Sequence, residues 1–145
     1  MSARILVTGS RKWDDATAIK NALLAASSDV GWDTFDPLGG PVVVQGGAFG
    51  ADLTAAIEAV RQGMHVQTYR AIWTAACLER CSHGPRRRLD VDVDYCPAAG
   101  VYRNELMVSH GAALCLAFIK NKSSGATRCA ALAEAAGIPV RYWKA

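Results

Sequence analysis

Val42-Val43-Val44-Gln45-Gly46-Gly47-Ala48-Phe49-Gly50-Ala51-Asp52-Leu53 is the stretch whose reading decides the fold. Three β-branched residues in a row suit a strand covered on both faces, and the glycines after them make a tight turn into the amphipathic run 53–60. A strand that feeds a helix through such a turn exposes backbone N–H groups at the positive end of the helix dipole, where a phosphate or carboxylate is stabilised. The turn therefore points to an anionic small molecule.

The same grammar repeats outward from this turn. Apolar runs at 5–7, 66–69, 114–119 and 140–143 are short and mostly lack clean alternation, as buried parallel strands do. Helical spacing joins Ile19, Ala22, Leu23 and Ala26; Leu53, Ala56, Ile57 and Val60; Val101, Leu106, Met107 and Val108; and Ala130, Leu132, Ala133 and Ala136. Gly31, Gly63, Gly111 and Gly137 fall just past these four stretches, where helices stop. The order β-α-β-α-β-insert-α-β-α-β predicts an α/β fold over 1–145. It is a single doubly wound, mainly parallel five-stranded Rossmann-like sheet with helices on both faces, and a Cys/His-containing loop insert at 72–96.

Composition narrows the function classes. An apolar fraction of 51% over 145 residues describes an ordinary globular domain, and no uninterrupted apolar stretch approaches the roughly 20 residues that span a bilayer. The opening Met1-Ser2-Ala3-Arg4-Ile5 enters a strand at once and lacks the pattern of a signal peptide, so a cytoplasmic location and no membrane partner are expected. A net charge of +3 is too slight to imply nucleic acid, which is not an expected partner. The densest basic run, Arg86-Arg87-Arg88, is followed by Asp90, Asp92 and Asp94 and reads as a solvated charged loop.

In a doubly wound sheet, ligands sit beyond the carboxyl ends of the strands where strand order reverses. The segments leaving those ends are Thr8-Gly9-Ser10-Arg11, the glycine turn, and 120–127 with Ser123, Ser124, Gly125 and Thr127. All are rich in Gly, Ser, Thr or cations, the residue types that accommodate a phosphate-sized anion. NAD is not expected: the better glycine turn is the second, and about 20 residues past Gly50 stands Arg70 with no carboxylate beside it.

Four of these segments together carry a resemblance. Ile5-Leu6-Val7-Thr8-Gly9-Ser10-Arg11, the Gly46-Gly47-Ala48-x-Gly50-Ala51-Asp52 turn, Ala99-Gly100-x-x-Arg103-Asn104-x-x-Met107-Val108 and Ser124-Gly125-Ala126-Thr127 resemble the YspA-related branch of the SLOG superfamily. That superfamily groups Rossmann-like proteins related to the cytokinin-activating LOG phosphoribohydrolases and to DprA, many encoded by bacteria and phages. The resemblance implies a nucleotide or nucleotide-derived ligand held at the three loops, with Gly9, Ser10, Arg11, Gly46, Gly47, Phe49, Gly50, Asp52, Arg103, Asn104, Ser123, Ser124, Gly125 and Thr127 around it. LOG relatives assemble as dimers, so the resemblance makes a homo-oligomer one option without fixing the oligomeric state.

The resemblance carries an enzymatic alternative, hydrolysis of the N-glycosidic bond of a nucleoside monophosphate. The LOG relatives use an Arg, matched by Arg103, and a Glu a few residues into the helix after a Gly-Gly-x-Gly-Thr turn whose last glycine matches Gly125. The place of that Glu falls at Cys129 or Ala130, so a carboxylate would have to come from Glu105 or Asp52. A third reading is DprA-like binding of single-stranded DNA.

Some residues have competing roles on the sequence alone. Asp52 either stabilises a helix dipole or holds a ribose hydroxyl. Phe49 either packs or covers a base, and Arg103 with Asn104 either lies on a plain helix surface or reads phosphate and an amide or base edge. The four tryptophans are too dispersed to form a stacking platform. In the insert, Cys77, Cys81, His83 and Cys96 form a Cys3His set that could hold a structural zinc, against the alternative of a plain loop with reduced thiols. Cys115 and Cys129 read as buried small hydrophobes.

Overall fold

Every residue of the run 114–119 is buried, which places it at the centre of a sheet rather than at its edge. The computed structural model describes residues 3–32, 40–81, 84–88 and 93–145. In chain order the elements are β1 (Arg4–Gly9), α1 (Ala16–Asp29), β2 (Val42–Gln45), α2 (Ala51–Arg61) and β3 (His65–Thr68). There follow β4 (Arg86–Arg88), β5 (Val93–Tyr95), α3 (Ala99–Ser109), β6 (Leu114–Ile119), α4 (Ser124–Ala135) and β7 (Val140–Lys144). The helices stop before Gly31, Gly63, Gly111 and Gly137, as their spacing predicts.

Five strands form one sheet in the order β3-β2-β1-β6-β7, and all its pairings are parallel. The β1–β6 register runs from Ile5 opposite Leu114 to Gly9 opposite Phe118. Strand order reverses at this pair. The chain leaves β1 for β2 on one side, and β6 for β7 on the other.

The two faces are covered by small-residue seams. On one face Ile5, Val7, Val43, Leu116 and Phe118 meet α1 and α2, the latter through fully buried Ala51, Ala55 and Ala59 at four-residue spacing. On the other, Leu6, Val44 and Cys115 meet Met107 and Val108 of α3 and Cys129 and Ala133 of α4. Alanine lets α1, α2 and α4 lie close to the sheet, and both Cys115 and Cys129 pack as small hydrophobes whose burial raises their thiol pKa values. The outer face of α2 leaves Leu53, Ile57 and Val60 exposed. Among the described residues no helix is long and apolar enough to cross a membrane.

The insert departs from a plain loop. Arg86–Arg88 and Val93–Tyr95 pair antiparallel, with Arg87 opposite Asp94 and their side chains 3.0 Å apart. Of the basic and acidic runs, read from sequence as a solvated charged loop, Arg87 and Asp94 thus meet as a cross-strand pair in a ribbon.

Phe118 anchors the larger cluster. Its ring stacks on Trp143 at 4.8 Å between centroids and meets Trp13 edge-on at 5.4 Å. Phe118→Ala is expected to lower stability by about 3–5 kcal/mol, read in urea unfolding with an unchanged slope.

Candidate functional site

A cleft of about 580 Å³ opens at the carboxyl ends of β1 and β6, where strand order reverses. Its volume lies within the range of small-molecule sites. Ser10 ties the two strand exits together. Its N–H donates to the Phe118 carbonyl at 2.8 Å, and its hydroxyl donates to the Lys120 carbonyl at 3.1 Å and accepts from the Lys120 N–H at 2.8 Å. Ser10 is 3% exposed, so both capacities of its hydroxyl serve the fold even though the residue borders the cleft.

The glycine turn is closed by its own helix. Asp52, in the first turn of α2, accepts from the N–H groups of Gly46 at 3.2 Å and Ala48 at 3.3 Å through Oδ2. The Gly47 N–H donates to the Gln45 side chain, Ala51 N–H to the Ser10 carbonyl and Leu53 N–H to the Ala48 carbonyl. These amides, expected from sequence to face a ligand, are thus taken within the chain. A buried first-turn carboxylate is itself the anion that such a turn attracts. Burial pushes the Asp52 pKa up from 3.8 to about 6, against the opposing pull of the Ala48 N–H, the Arg103 charge, the Gly46 N–H and Arg11.

Two of the glycines are required by close approach. A Cβ on Gly46 would lie 2.3 Å from Arg103 Nη1, which donates instead to the Gly46 carbonyl at 2.7 Å. Gly50 has φ +80, and a Cβ there would lie 2.4 Å from the Arg11 carbonyl oxygen. The turn is therefore a packing device that seats α2 and Arg103.

Cations and open amides line what remains. Arg103, on α3, also donates through Nη1 to the Tyr69 carbonyl at 3.3 Å and through Nε to Asn104 Oδ1 at 2.8 Å, leaving Nη2 without a hydrogen-bond partner among the described residues. Burial lowers its pKa, but a guanidinium remains charged. Arg11 and Lys12 border the cleft from the β1 exit, Lys120 from the β6 exit and Arg128 from α4. Lys120 is steadied by Asp14 at 3.1 Å. Ser123 precedes α4 without a side-chain cap, and the N–H groups of Ser124, Gly125 and Ala126 have no acceptor among the described residues. Asp52 is the one carboxylate among the described lining residues.

The residues expected from sequence divide accordingly. Gly9, Ser10, Arg11, Asp52, Arg103, Asn104, Ser123, Ser124 and Gly125 line the cleft. Gly46, Gly47, Phe49, Gly50 and Thr127 do not; Phe49 is 78% exposed beyond it, and the Thr127 hydroxyl donates to the Ser123 carbonyl. Glu105 also lies outside, paired with Arg80 at 2.7 Å. Cys129 and Ala130, where the LOG glutamate would fall, are fully buried.

Trp73 lines the cleft as well, a residue the sequence reading set aside with the other tryptophans. It stands in the segment that leaves the carboxyl end of β3. The topological rule applied to all the strand ends would have found it.

The insert brings three thiols together. The Sγ atoms of Cys77, Cys81 and Cys96 lie within 4.8 Å of one another, and those of Cys81 and Cys96 are 3.9 Å apart. A tetrahedral ion with metal–sulfur bonds of about 2.3 Å sets its sulfurs about 3.8 Å apart, so this group can hold a metal ion. Hydrogen bonding with the Cys96 thiol, then burial and the Cys81 thiol, push the Cys77 pKa up to about 12. His83, the fourth member of the expected set, lies outside the described residues.

Comparison with known proteins places these features in a family. The profile of the YspA, cpYpsA-related SLOG family matches residues 3–75. The chain is 37% identical over 142 residues to the Gene 61 protein of Mycobacterium phage D29, a match covering 94% of this chain and 93% of that one. Among solved structures it is similar to DNA processing protein A (DprA) from Streptococcus pneumoniae, with a TM-score of 0.63 and 17% identity. That match covers 97% of this chain but half the length of DprA, and at such identity it is a likeness of fold.

The raised Asp52 pKa carries a sign that can be checked. In the unfolded chain Asp52 ionises near 3.8 and in the folded chain at about 6, so the stability favouring its protonated form is lost as pH rises through that window. Asp52→Asn has no such ionisation. Its stability relative to the parent should rise by about 3 kcal/mol between about pH 3.5 and pH 7.5, measured by urea unfolding at the two values. A difference that does not move with pH would contradict the buried carboxylate.

Proposed function

We propose, on the premise that this chain belongs to the YspA, cpYpsA-related SLOG family, that it binds a nucleotide or nucleotide-derived anionic small molecule in the cleft between the β1 and β6 exits. The observation that carries this reading is the pairing of open amides at Ser124, Gly125 and Ala126 with five cationic side chains and a single carboxylate among the described lining residues. A phosphate at the start of α4 would accept from those amides, with Arg11 and Arg128 closing on it from either side. In this reading Arg103 Nη2 and Asn104 meet the sugar or the polar edge of a base, and Asp52 accepts from a sugar hydroxyl.

Binding rather than hydrolysis is favoured by the carboxylates. Glu105 is paired with Arg80 outside the cleft, and no acid stands at Cys129 or Ala130. Asp52 already accepts two backbone N–H groups. The biological setting that suits such a protein is the sensing or sequestering of a nucleotide signal.

Titration with AMP by calorimetry tests the reading, alongside a mass-spectrometric survey of small molecules retained on the purified protein. Arg11→Ala and Arg128→Ala should each weaken AMP binding about tenfold, whereas Arg141→Ala, which removes a remote ion pair with Asp29, should not. Equal affinity in all four proteins would refute the cleft as the site. Appearance of free adenine would replace binding by glycosidic hydrolysis.

For the insert we propose a structural zinc held by Cys77, Cys81 and Cys96 with His83 as the fourth ligand. A site filled by four protein ligands is closed to substrate, and its contribution is to the ordering of the segment. Metal analysis of protein purified without chelator should give about one equivalent per chain, lost in Cys77→Ser; full retention in that variant would exclude the site.

A further inference from the structure

We propose that the Cys77, Cys81 and Cys96 cluster acts as a metal-held strut for Trp73, and that the Trp73 indole is the surface on which the heteroaromatic base of the ligand stacks. The inference rests on the nucleotide reading above and deepens it, assigning a base-recognising residue and a role for the metal in placing it.

The segment that carries Trp73 has little burial to fix it. Ile72 is 69% exposed and Leu78 48%, and among residues 70–81 none is buried. Apolar packing of this extent does not set the position of a side chain. Yet the indole is held at one place. Its edge lies against Gly100, where a Cβ would stand 3.2 Å from Cη2, and the Trp73 carbonyl accepts from the Cys96 N–H at 2.7 Å.

Cys96 is the hinge of this arrangement. It is 2% exposed, and its carbonyl accepts from the N–H of Ala99, the first residue of α3. One residue is thereby joined to Trp73, to the other two thiols and to the helix that carries Arg103 and Asn104. Cys77 follows Trp73 by four positions, so an ion shared by Cys77, Cys81 and Cys96 closes the segment onto the base of α3 immediately beside the indole. Arg80 adds a second attachment, lying 4.7 Å over the Tyr102 ring while pairing with Glu105, both on α3.

The placement suits a two-ended ligand. The open amides of α4, the cations and the Trp73 indole, 38% exposed, border one cleft, and the indole edge and Arg103 Nη2 both lie beside Gly100 of α3. An indole that keeps part of its surface open beside an arginine-lined cleft is a stacking partner for any heteroaromatic ring. Trp13, by contrast, is 7% exposed and its ring packs on Phe118.

The test uses the zinc-loaded full-length chain with AMP and ribose 5-phosphate as probes, followed by calorimetry and tryptophan emission. AMP should bind about tenfold tighter than ribose 5-phosphate and alter the emission. Trp73→Ala should remove both the advantage and the emission change while ribose 5-phosphate affinity stays within about twofold, and Trp73→Phe should keep most of the advantage. Stripping zinc with a chelator should lower the AMP advantage toward that of Trp73→Ala, and restoring zinc should return it. Equal AMP affinity for the parent and Trp73→Ala would overturn the stacking. An AMP advantage that survives chelation would overturn the strut. In both cases retained ribose 5-phosphate binding leaves the phosphate site standing, whereas a parent that binds neither probe overturns the nucleotide reading and this inference together.

Discussion

The parallel junction of β1 and β6 is the constraint on which the rest of the molecule depends. Because the chain turns to opposite sides of the sheet at this pair, no crossover covers the carboxyl ends of the two strands and a crevice is left between their exits. Ser10 keeps that crevice at a fixed width: its hydroxyl satisfies both backbone groups of Lys120 across 110 positions of sequence. The start of α4, the β1 exit with Arg11, and Arg103 from α3 are all placed relative to this joint. A serine here is worth more to the geometry of the cleft than to any ligand.

Electrostatics inside the cleft follow from where the carboxylate sits. Asp52 fills the amide end of the glycine turn, so the positive potential at that helix start is met from within. The neighbouring α4 has no acidic residue in its first turn and no side-chain cap. Two helix N-termini of the same fold thus have opposite fates, one closed by its own side chain and one open. Arg103 links them. Its guanidinium reaches over Gly46 to hold the turn, with Nη2 beside Gly100, which lines the cleft.

The described part of the insert is held together although little of it is buried. Its ribbon draws on cross-strand charge and its thiols on mutual proximity, and it is attached to α3 through Cys96 and Arg80. None of these contacts buries much area. The described part of the segment therefore depends on directional interactions more than on the hydrophobic effect that orders the sheet.

Periodicity, turn residues and apolar runs determined by themselves the element order, the parallel sheet and the four helix ends. These depend on local spacing and on which residues tolerate burial, both of which are written along the chain. The candidate cleft was legible in part: Gly9, Arg11, Ser124 and Gly125 could be placed at strand exits, because topology says which ends of the strands face a ligand, whereas Arg103 on α3 came from the family resemblance. What the tertiary structure alone decided is the assignment of hydrogen-bonding capacity. Asp52 taking the turn's amides, Ser10 bridging to Lys120, Glu105 turning to Arg80 and Trp73 arriving beside Gly100 each join residues whose pairing no spacing encodes. Donors and acceptors are satisfied by whichever partner packing brings within reach, and that is a property of the folded chain.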